Sequence, residues 1–239
     1  MTEIIKGKNC FITGATSGLG KEITKQLINS GCNTFLTSFD DNDDFIKSIQ
    51  RNDSKIFYEK ADLTDKMNFE KIIKKCREEF GKIDILINCA GIFPIKSIKD
   101  SSIEDFEKCF DINVKVPFKL IKEFSEDMKE TKWGRIVNIA SSSAYMGVKD
   151  SSIYCSSKHA LLGLSRSIFN ELKEHNIRTY SVSPGSMKTE MGKMSGEISN
   201  QNYDTFIDPT EVAKFLIQIC SYDNEMISEE IRLNRMKIE

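Results

Sequence analysis

The chain has 239 residues, 39% of them hydrophobic, with 34 basic and 36 acidic side chains and a net charge of −2. That is enough apolar material for one sizeable core, and the even charge provides no basic face for nucleic acid or anionic lipid, so a small molecule is the expected partner. Cys10, Cys32, Cys76, Cys89, Cys109, Cys155 and Cys220 make no Cys-x-x-Cys pair, there is no 18-residue apolar run, and no signal-peptide segment precedes the first strand, so reduced thiols, no metal site, no membrane contact and a cytoplasmic location are expected.

The run Cys10-Phe11-Ile12 marks a first strand over residues 8–13. Gly14-Ala15-Thr16-Ser17-Gly18-Leu19-Gly20 then turns into a helix, on which Ile23, Leu27 and Ile28 recur at helical spacing until Ser30-Gly31 stops it. Such a turn brings backbone close to a pyrophosphate and offers it the open N–H groups of a helix N-terminus. The spacing departs from Gly-x-Gly-x-x-Gly, and glycines in a strand-to-helix turn also serve simply to relieve steric conflict.

Further strands are expected at 33–38, 55–60, 83–88, 133–140, 177–183 and 229–234. Helices fit 41–51, 65–80, 102–130, 152–174 and 209–220, the last opened by Asp208-Pro209. Nothing reads as a linker or a repeat. The pattern predicts one α/β domain over residues 1–239, a doubly wound and mainly parallel seven-stranded sheet with helices on both faces. Residues 190–208, with Met191, Met194 and Phe206 among polar neighbours, fit either a substrate lid or a plain polar connection. Ile92, Phe93, Pro94, Ile95, Tyr145 and Met146 are candidate pocket walls.

Tyr154 and Lys158 are four residues apart and share one helix face, where an ammonium favours the phenolate and draws its pKa toward the working range. Any amphipathic helix can carry that pair by chance, so its neighbours matter. His159 turns away by about 100°, and His175 sits at a helix end that welcomes a cation. Cys155 has no histidine placed to activate it.

Six ordered motifs resemble the short-chain dehydrogenase/reductase family. They are Thr-Gly-x-x-x-Gly-x-Gly from Thr13 to Gly20, Asn88-Cys89-Ala90-Gly91, Asp111-Ile112-Asn113, Asn138-Ile139-Ala140-Ser141, Tyr154-x-x-x-Lys158 and Ser183-Pro184-Gly185. The resemblance implies a Rossmann-type fold and an NAD(P)(H) cofactor held by Gly14, Thr16, Ser17, Gly18, Leu19 and Gly20. Asp62 and Leu63 would meet the adenine. Asn88, Ala90 and Gly91 would line the channel, and Pro184, Gly185 and Thr189 the nicotinamide end. It further implies a catalytic set of Ser141, with Ser142 and Ser143 as register alternatives, Tyr154, Lys158, and Asn113, which would anchor a water. Tyr154 and Lys158 would also touch the cofactor.

Cys89 replaces the family's second asparagine, and Ile231 to Met236 stand where a Gly-Gly pair often ends the last strand. Ser38, seven residues beyond Gly31, favours NADP(H) slightly, although Phe39 stands where an arginine often holds the phosphate and Asp40, Asp41, Asp43 and Asp44 oppose it. The expected activity is reduction of a ketone, or oxidation of the matching secondary alcohol. A 3-oxoacyl thioester, with a carrier protein as partner, competes with a sugar or sugar nucleotide as substrate, and a non-catalytic dinucleotide-binding regulator is the alternative class. By resemblance the chain assembles as a homodimer or homotetramer.

Overall fold

Parallel strands joined by helices bury both faces of their sheet, and the strands accordingly read as nearly continuous apolar runs. The computed structural model describes residues 2–50 and 53–236. Its strands are β1 (Asn9–Thr13), β2 (Asn33–Ser38), β3 (Ile56–Lys60), β4 (Ile85–Asn88), β5 (Gly134–Ile139), β6 (Ile177–Pro184) and β7 (Glu230–Leu233). Between them run α1 (Gly18–Asn29), α2 (Asp43–Ile49), α3 (Lys66–Phe80), α4 (Ile103–Phe110), α5 (Val116–Thr131), α6 (Ser152–Leu172), α7 (Glu190–Ser199) and α8 (Pro209–Cys220). Residue 51, the expected end of the second helix, lies outside the described residues.

All strand pairs are parallel, in the order β3-β2-β1-β4-β5-β6-β7. Successive side chains alternate between faces. Cys10 and Ile12 of β1 therefore join the core beneath α1 and α8, with Ile23, Leu27, Val212 and Leu216. Phe11 joins the opposite core beneath α3 and α5, with Phe69, Ile72, Leu120 and Phe124. The result is a doubly wound Rossmann-like α/β fold. Its connections reverse direction between β1 and β4, which opens a crevice at the carboxyl ends of those strands.

Two segments differ from the sequence expectation. The single helix expected over 102–130 is divided by a π-helical turn at Asp111–Lys115. Pro117 supplies the reason: it has no N–H to give the carbonyl of Asn113, four residues back, so an unbroken α-helix loses a bond there. Residues 190–208 carry a helix, α7, instead of a structureless connection. Thr189 caps it by accepting from the Gly192 N–H. Gly192 and Gly196 depress its helical signal, yet close approach demands the first and favours the second: a Cβ on Gly192 would lie 1.9 Å from the Met187 carbonyl oxygen, and one on Gly196 would lie 3.0 Å from the Phe206 ring.

Arg135 on β5 is fully buried, and its guanidinium holds the segment between α8 and β7 by donating to the carbonyls of Cys220 (3.1 Å) and Tyr222 (2.9 Å) and to Asp223 (2.7 Å). Replacing it with methionine keeps the volume but strands those acceptors. We expect Arg135→Met to cost about 1–3 kcal/mol in urea unfolding and to speed proteolysis within 221–229; an unchanged unfolding midpoint would contradict the clamp.

Candidate active site

A cavity of about 550 Å3 occupies the crevice, and the turn between β1 and α1 forms one wall of it. Gly14 (φ +65) and Gly18 (φ +47) adopt left-handed backbone, and a Cβ on Gly20 would lie 2.0 Å from the Gly14 carbonyl oxygen. Glycine is therefore demanded by geometry at this turn. Thr16, Ser17 and Leu19 complete the wall. Ser17 is the N-cap of α1 but makes no side-chain cap bond, which leaves the first N–H groups of the helix open to an anion. Across the turn, Thr13 Oγ1 accepts from Cys89 N (3.1 Å) and Ala90 N (3.0 Å), tying the end of β4 to the end of β1. This close-fitted backbone suits a pyrophosphate, and Ala90 and Gly91 continue the same channel.

Ser38, Asp62 and Leu63 line the cavity where the adenosine is expected. Asp62 Oδ1 accepts from the Thr64 N–H (2.9 Å) and hydroxyl (2.6 Å). Ser38 is already committed: its hydroxyl accepts from Thr16 Oγ1 (2.9 Å), donates to the Asp40 carbonyl (2.9 Å) and lies 3.1 Å from the Tyr58 hydroxyl. Phe39 and Asp40 line the wall beside it, and the only lysines or arginines lining the cavity among the described residues are Lys108 and Lys158.

Ser141, Tyr154 and Lys158 meet at the other end of the cavity. Ser141 follows β5, and its Oγ accepts from the Ser143 N–H (3.1 Å), leaving the hydroxyl proton to be donated. The same residue is the neighbour that draws the Tyr154 phenol downward, against the larger effect of burial. The first turns of α6 present Tyr154 and Lys158 together, with the Lys158 ammonium 5.6 Å from the Tyr154 ring centre and donating to the Ile139 carbonyl (2.8 Å). Phe93 packs on the Tyr154 ring with centroids 4.5 Å apart. Ser142 and Ser143 also line the wall, as do Pro184, Gly185 and Thr189 opposite.

Electrostatics reverse one expectation from the sequence. Burial pushes the Tyr154 phenol up to about 12, against the smaller lowering from Ser141. Burial also pulls Lys158 down to about 8. Desolvation is the largest influence on both groups, because each sits in the wall with little solvent access.

Asn113 and Asn88 lie behind the cavity wall. In the π-helical turn, Asn113 Nδ2 donates to the Ile92 carbonyl (3.0 Å) and Ser157 Oγ (2.9 Å), while Oδ1 accepts from Ile92 N (3.0 Å). Its amide therefore fastens the strand-four loop to α6 and is spent on protein partners. Asn88, expected to line the channel, instead donates to Asn138 Oδ1 (2.7 Å), whose amide donates to Ser165 Oγ (2.9 Å). Alternation along β4 turns its side chain into the sheet–helix layer.

Ile92, Phe93 and Met191 line the cavity, whereas Pro94, Ile95, Tyr145, Met146, Met194 and Phe206 do not. Lys108, Ile112 and Val116 line it without having been expected there. Their four-residue spacing was the available signal. Cys155 is buried and His159 exposed, its Nδ1 2.8 Å from the Cys155 carbonyl. Among the described residues no helix is long and apolar enough to cross a membrane.

A family model described as short chain dehydrogenase matches residues 8–199. An uncharacterized oxidoreductase of Thermotoga maritima is 37% identical over 190 residues, covering 77% of this chain and 74% of that protein. The uncharacterized oxidoreductase YgcW of Escherichia coli is 34% identical over 188 residues, covering 78% and 72%. Among solved structures, a 4-hydroxyisoleucine dehydrogenase complexed with NADH superposes with a TM-score of 0.85 at 29% identity, covering 95% of this chain and 97% of that one.

Two outcomes follow from the site's geometry. Gly20→Ala forces the turn apart and is expected to weaken NADH binding at least about tenfold in calorimetric titration; wild-type affinity would show that the close approach is dispensable. Between pH about 8 and the usual lysine value of 10.5 the unfolded chain carries a proton at Lys158 that the folded one has lost, so this residue makes stability rise with pH across that window. Lys158→Met should remove that rise from urea midpoints, and an identical pH profile would contradict the burial effect.

Proposed function

The chain belongs to the short-chain dehydrogenase family and is an NAD(P)-dependent dehydrogenase/reductase acting on a small molecule; from that premise we propose that it reduces a ketone, or oxidises the matching secondary alcohol, with Tyr154 carrying the proton. The observation that supports this most is the meeting of Ser141, Tyr154 and Lys158 on one wall of the cavity that the glycine turn opens. Bound there, the nicotinamide supplies or accepts the hydride. Gly14 to Gly20 would hold its pyrophosphate, Asp62 and Leu63 its adenine, Ala90 and Gly91 its channel face, and Pro184, Gly185 and Thr189 the amide end.

In this reading Tyr154 Oη gives its proton to the carbonyl oxygen. Burial holds the phenol up near 12, so at neutral pH it carries the proton that reduction requires. Ser141 donates its hydroxyl proton to the same oxygen as charge develops, its acceptor side being occupied by the Ser143 N–H. Lys158, fixed by one bond to the Ile139 carbonyl, has donors to spare for the cofactor ribose. Asn113 anchors a water through its backbone carbonyl, which Pro117 leaves without its α-helical donor, since the amide is fully used.

For the cofactor, the preference proposed is NAD(H), the reverse of the slight expectation from Ser38. The Ser38 hydroxyl is spent on Thr16, Asp40 and Tyr58, and among the described residues the wall beside it carries Asp40 and no lysine or arginine to neutralise a 2′-phosphate. NADH in the 4-hydroxyisoleucine dehydrogenase structure is in keeping with this. For the substrate, Ile92, Phe93 and Met191 at the chemical end favour an acyl or alkyl ketone, such as a 3-oxo ester or carrier-bound thioester, over a sugar. Residues 1–239 act as one catalytic domain with α7 and the residues after it, to Asp208, as the lid. Exposed Phe106 and Phe118 on α4 and α5 support a homodimer.

A carbonyl panel including ethyl acetoacetate and fructose, run with NADH and NADPH, tests all of this. Expected are turnover of the 3-oxo ester, a lower KM for NADH than for NADPH, and at least about a hundredfold loss of kcat in Tyr154→Phe. Full activity in that variant overturns the mechanism.

A further inference from the structure

Ser141 and Tyr145 are the two ends of one tight turn. The Ala144 N–H bonds to the Ser141 carbonyl (2.9 Å) and the Tyr145 N–H to the Ser142 carbonyl (3.1 Å). The Tyr145 side chain leaves the cavity altogether and reaches the last strand, where its hydroxyl donates to Glu230 Oε2 (3.0 Å). Glu230 is itself fixed: Arg166 of α6 donates to the same oxygen (3.0 Å) and, through Nε, to the other. Arg232, two residues on and so on the same face of β7, lays its guanidinium 4.4 Å from the centre of the Tyr145 ring. Register places Glu230 opposite Ser181 and Arg232 opposite Ser183 of β6, the strand that runs into the cavity wall at Pro184.

We infer that β7 is a positioning element for the reaction: Glu230, through Tyr145, fixes the turn that carries Ser141 and so sets where the Ser141 hydroxyl meets Tyr154. This rests on the role given to Ser141 under the proposed function. A serine side chain is short, so its oxygen moves with its backbone, and a hydrogen bond of ordinary length tolerates only a few tenths of an ångström. The turn is a three-residue 3-10 segment with little rigidity of its own. Its far end is held by a carboxylate of β7 that is also bonded to Arg166 of α6, the helix that carries Tyr154.

The test uses the full-length, cofactor-free protein with tyrosines labelled with 13C at Cζ, the Tyr154 signal being assigned by its loss in Tyr154→Phe. Tyr145→Phe deletes one hydroxyl, and Glu230→Gln removes the charge that holds it; the second carries the same test should the first not fold. Either is expected to move the Tyr154 signal in the direction that Ser141→Ala moves it, and neither should move it further once Ser141 is alanine. With NADH and ethyl acetoacetate, kcat should fall about three- to tenfold while the KM for NADH stays unchanged, and this loss should also vanish in the Ser141→Ala background. A Tyr154 signal that stays in place, or an effect undiminished on Ser141→Ala, overturns the inference and leaves Glu230 a purely stabilising ion pair. Full turnover by Ser141→Ala would instead overturn the role of Ser141 itself, and this inference with it.

Discussion

The backbone of the first turn touches the backbone of the first helix. With Gly20 pressed against the Gly14 carbonyl, and Gly14 in turn against Ala90, three segments meet at distances no side chain could enter. Everything at the cofactor end depends on that approach. It lets α1 start directly above the sheet with its N–H groups exposed, and it brings the end of β4 close enough for Thr13 to bind two of its amides. An anion bound at this turn would be met by main chain, its charge answered by oriented peptide groups instead of basic side chains. A chain with net charge −2 can hold a phosphate in this way without a basic patch.

The chemical end is built on the opposite logic, from side chains whose ionisation is governed by burial. Tyr154 and Lys158 are both displaced away from their charged forms, and each is compensated by a neutral partner, Ser141 in one case and the Ile139 carbonyl in the other. Asn113, Ser157 and Ile92 form the rigid backing that keeps α6 in place behind them. A polar wall surrounded by core is costly to leave unpaired, so the bonds that satisfy it also hold the groups in position.

Much of this was legible in the residues. Asp208-Pro209 opened the last helix where it was expected, Ser30-Gly31 closed the first, and every strand lay within two residues of its expected span. The pairing of Tyr154 with Lys158 and Ser141 was readable because helical spacing and motif order are local properties. What was hidden depended on contacts between distant segments. Gly192 and Gly196 are poor helix formers, and their place in α7 follows from the nearness of the Met187 carbonyl and the Phe206 ring. The π-helical turn before Pro117 was passed over by a single helix drawn across 102–130, and the bonds of the Asn113 amide to Ile92 and Ser157 join segments far apart in the chain. Burial of the phenol likewise cannot be counted from neighbours in sequence.

The placement of β1 between β2 and β4 has a thermodynamic meaning. Its partner on one side arrives about twenty residues later, but on the other side Cys10 must wait for Ile85, and the Asn9 N–H for the carboxylate of Asp84 (2.9 Å). Closing the longer loop costs more chain entropy than closing the shorter one, by a margin that grows only with the logarithm of length, and the crevice needs both halves before it exists. A ligand that binds the finished crevice selects the joined molecule and draws the folding equilibrium toward it by mass action. The cofactor of this enzyme would then act as a seal on the union of its two halves, and the amount of intact protein in a cell would follow the supply of that cofactor.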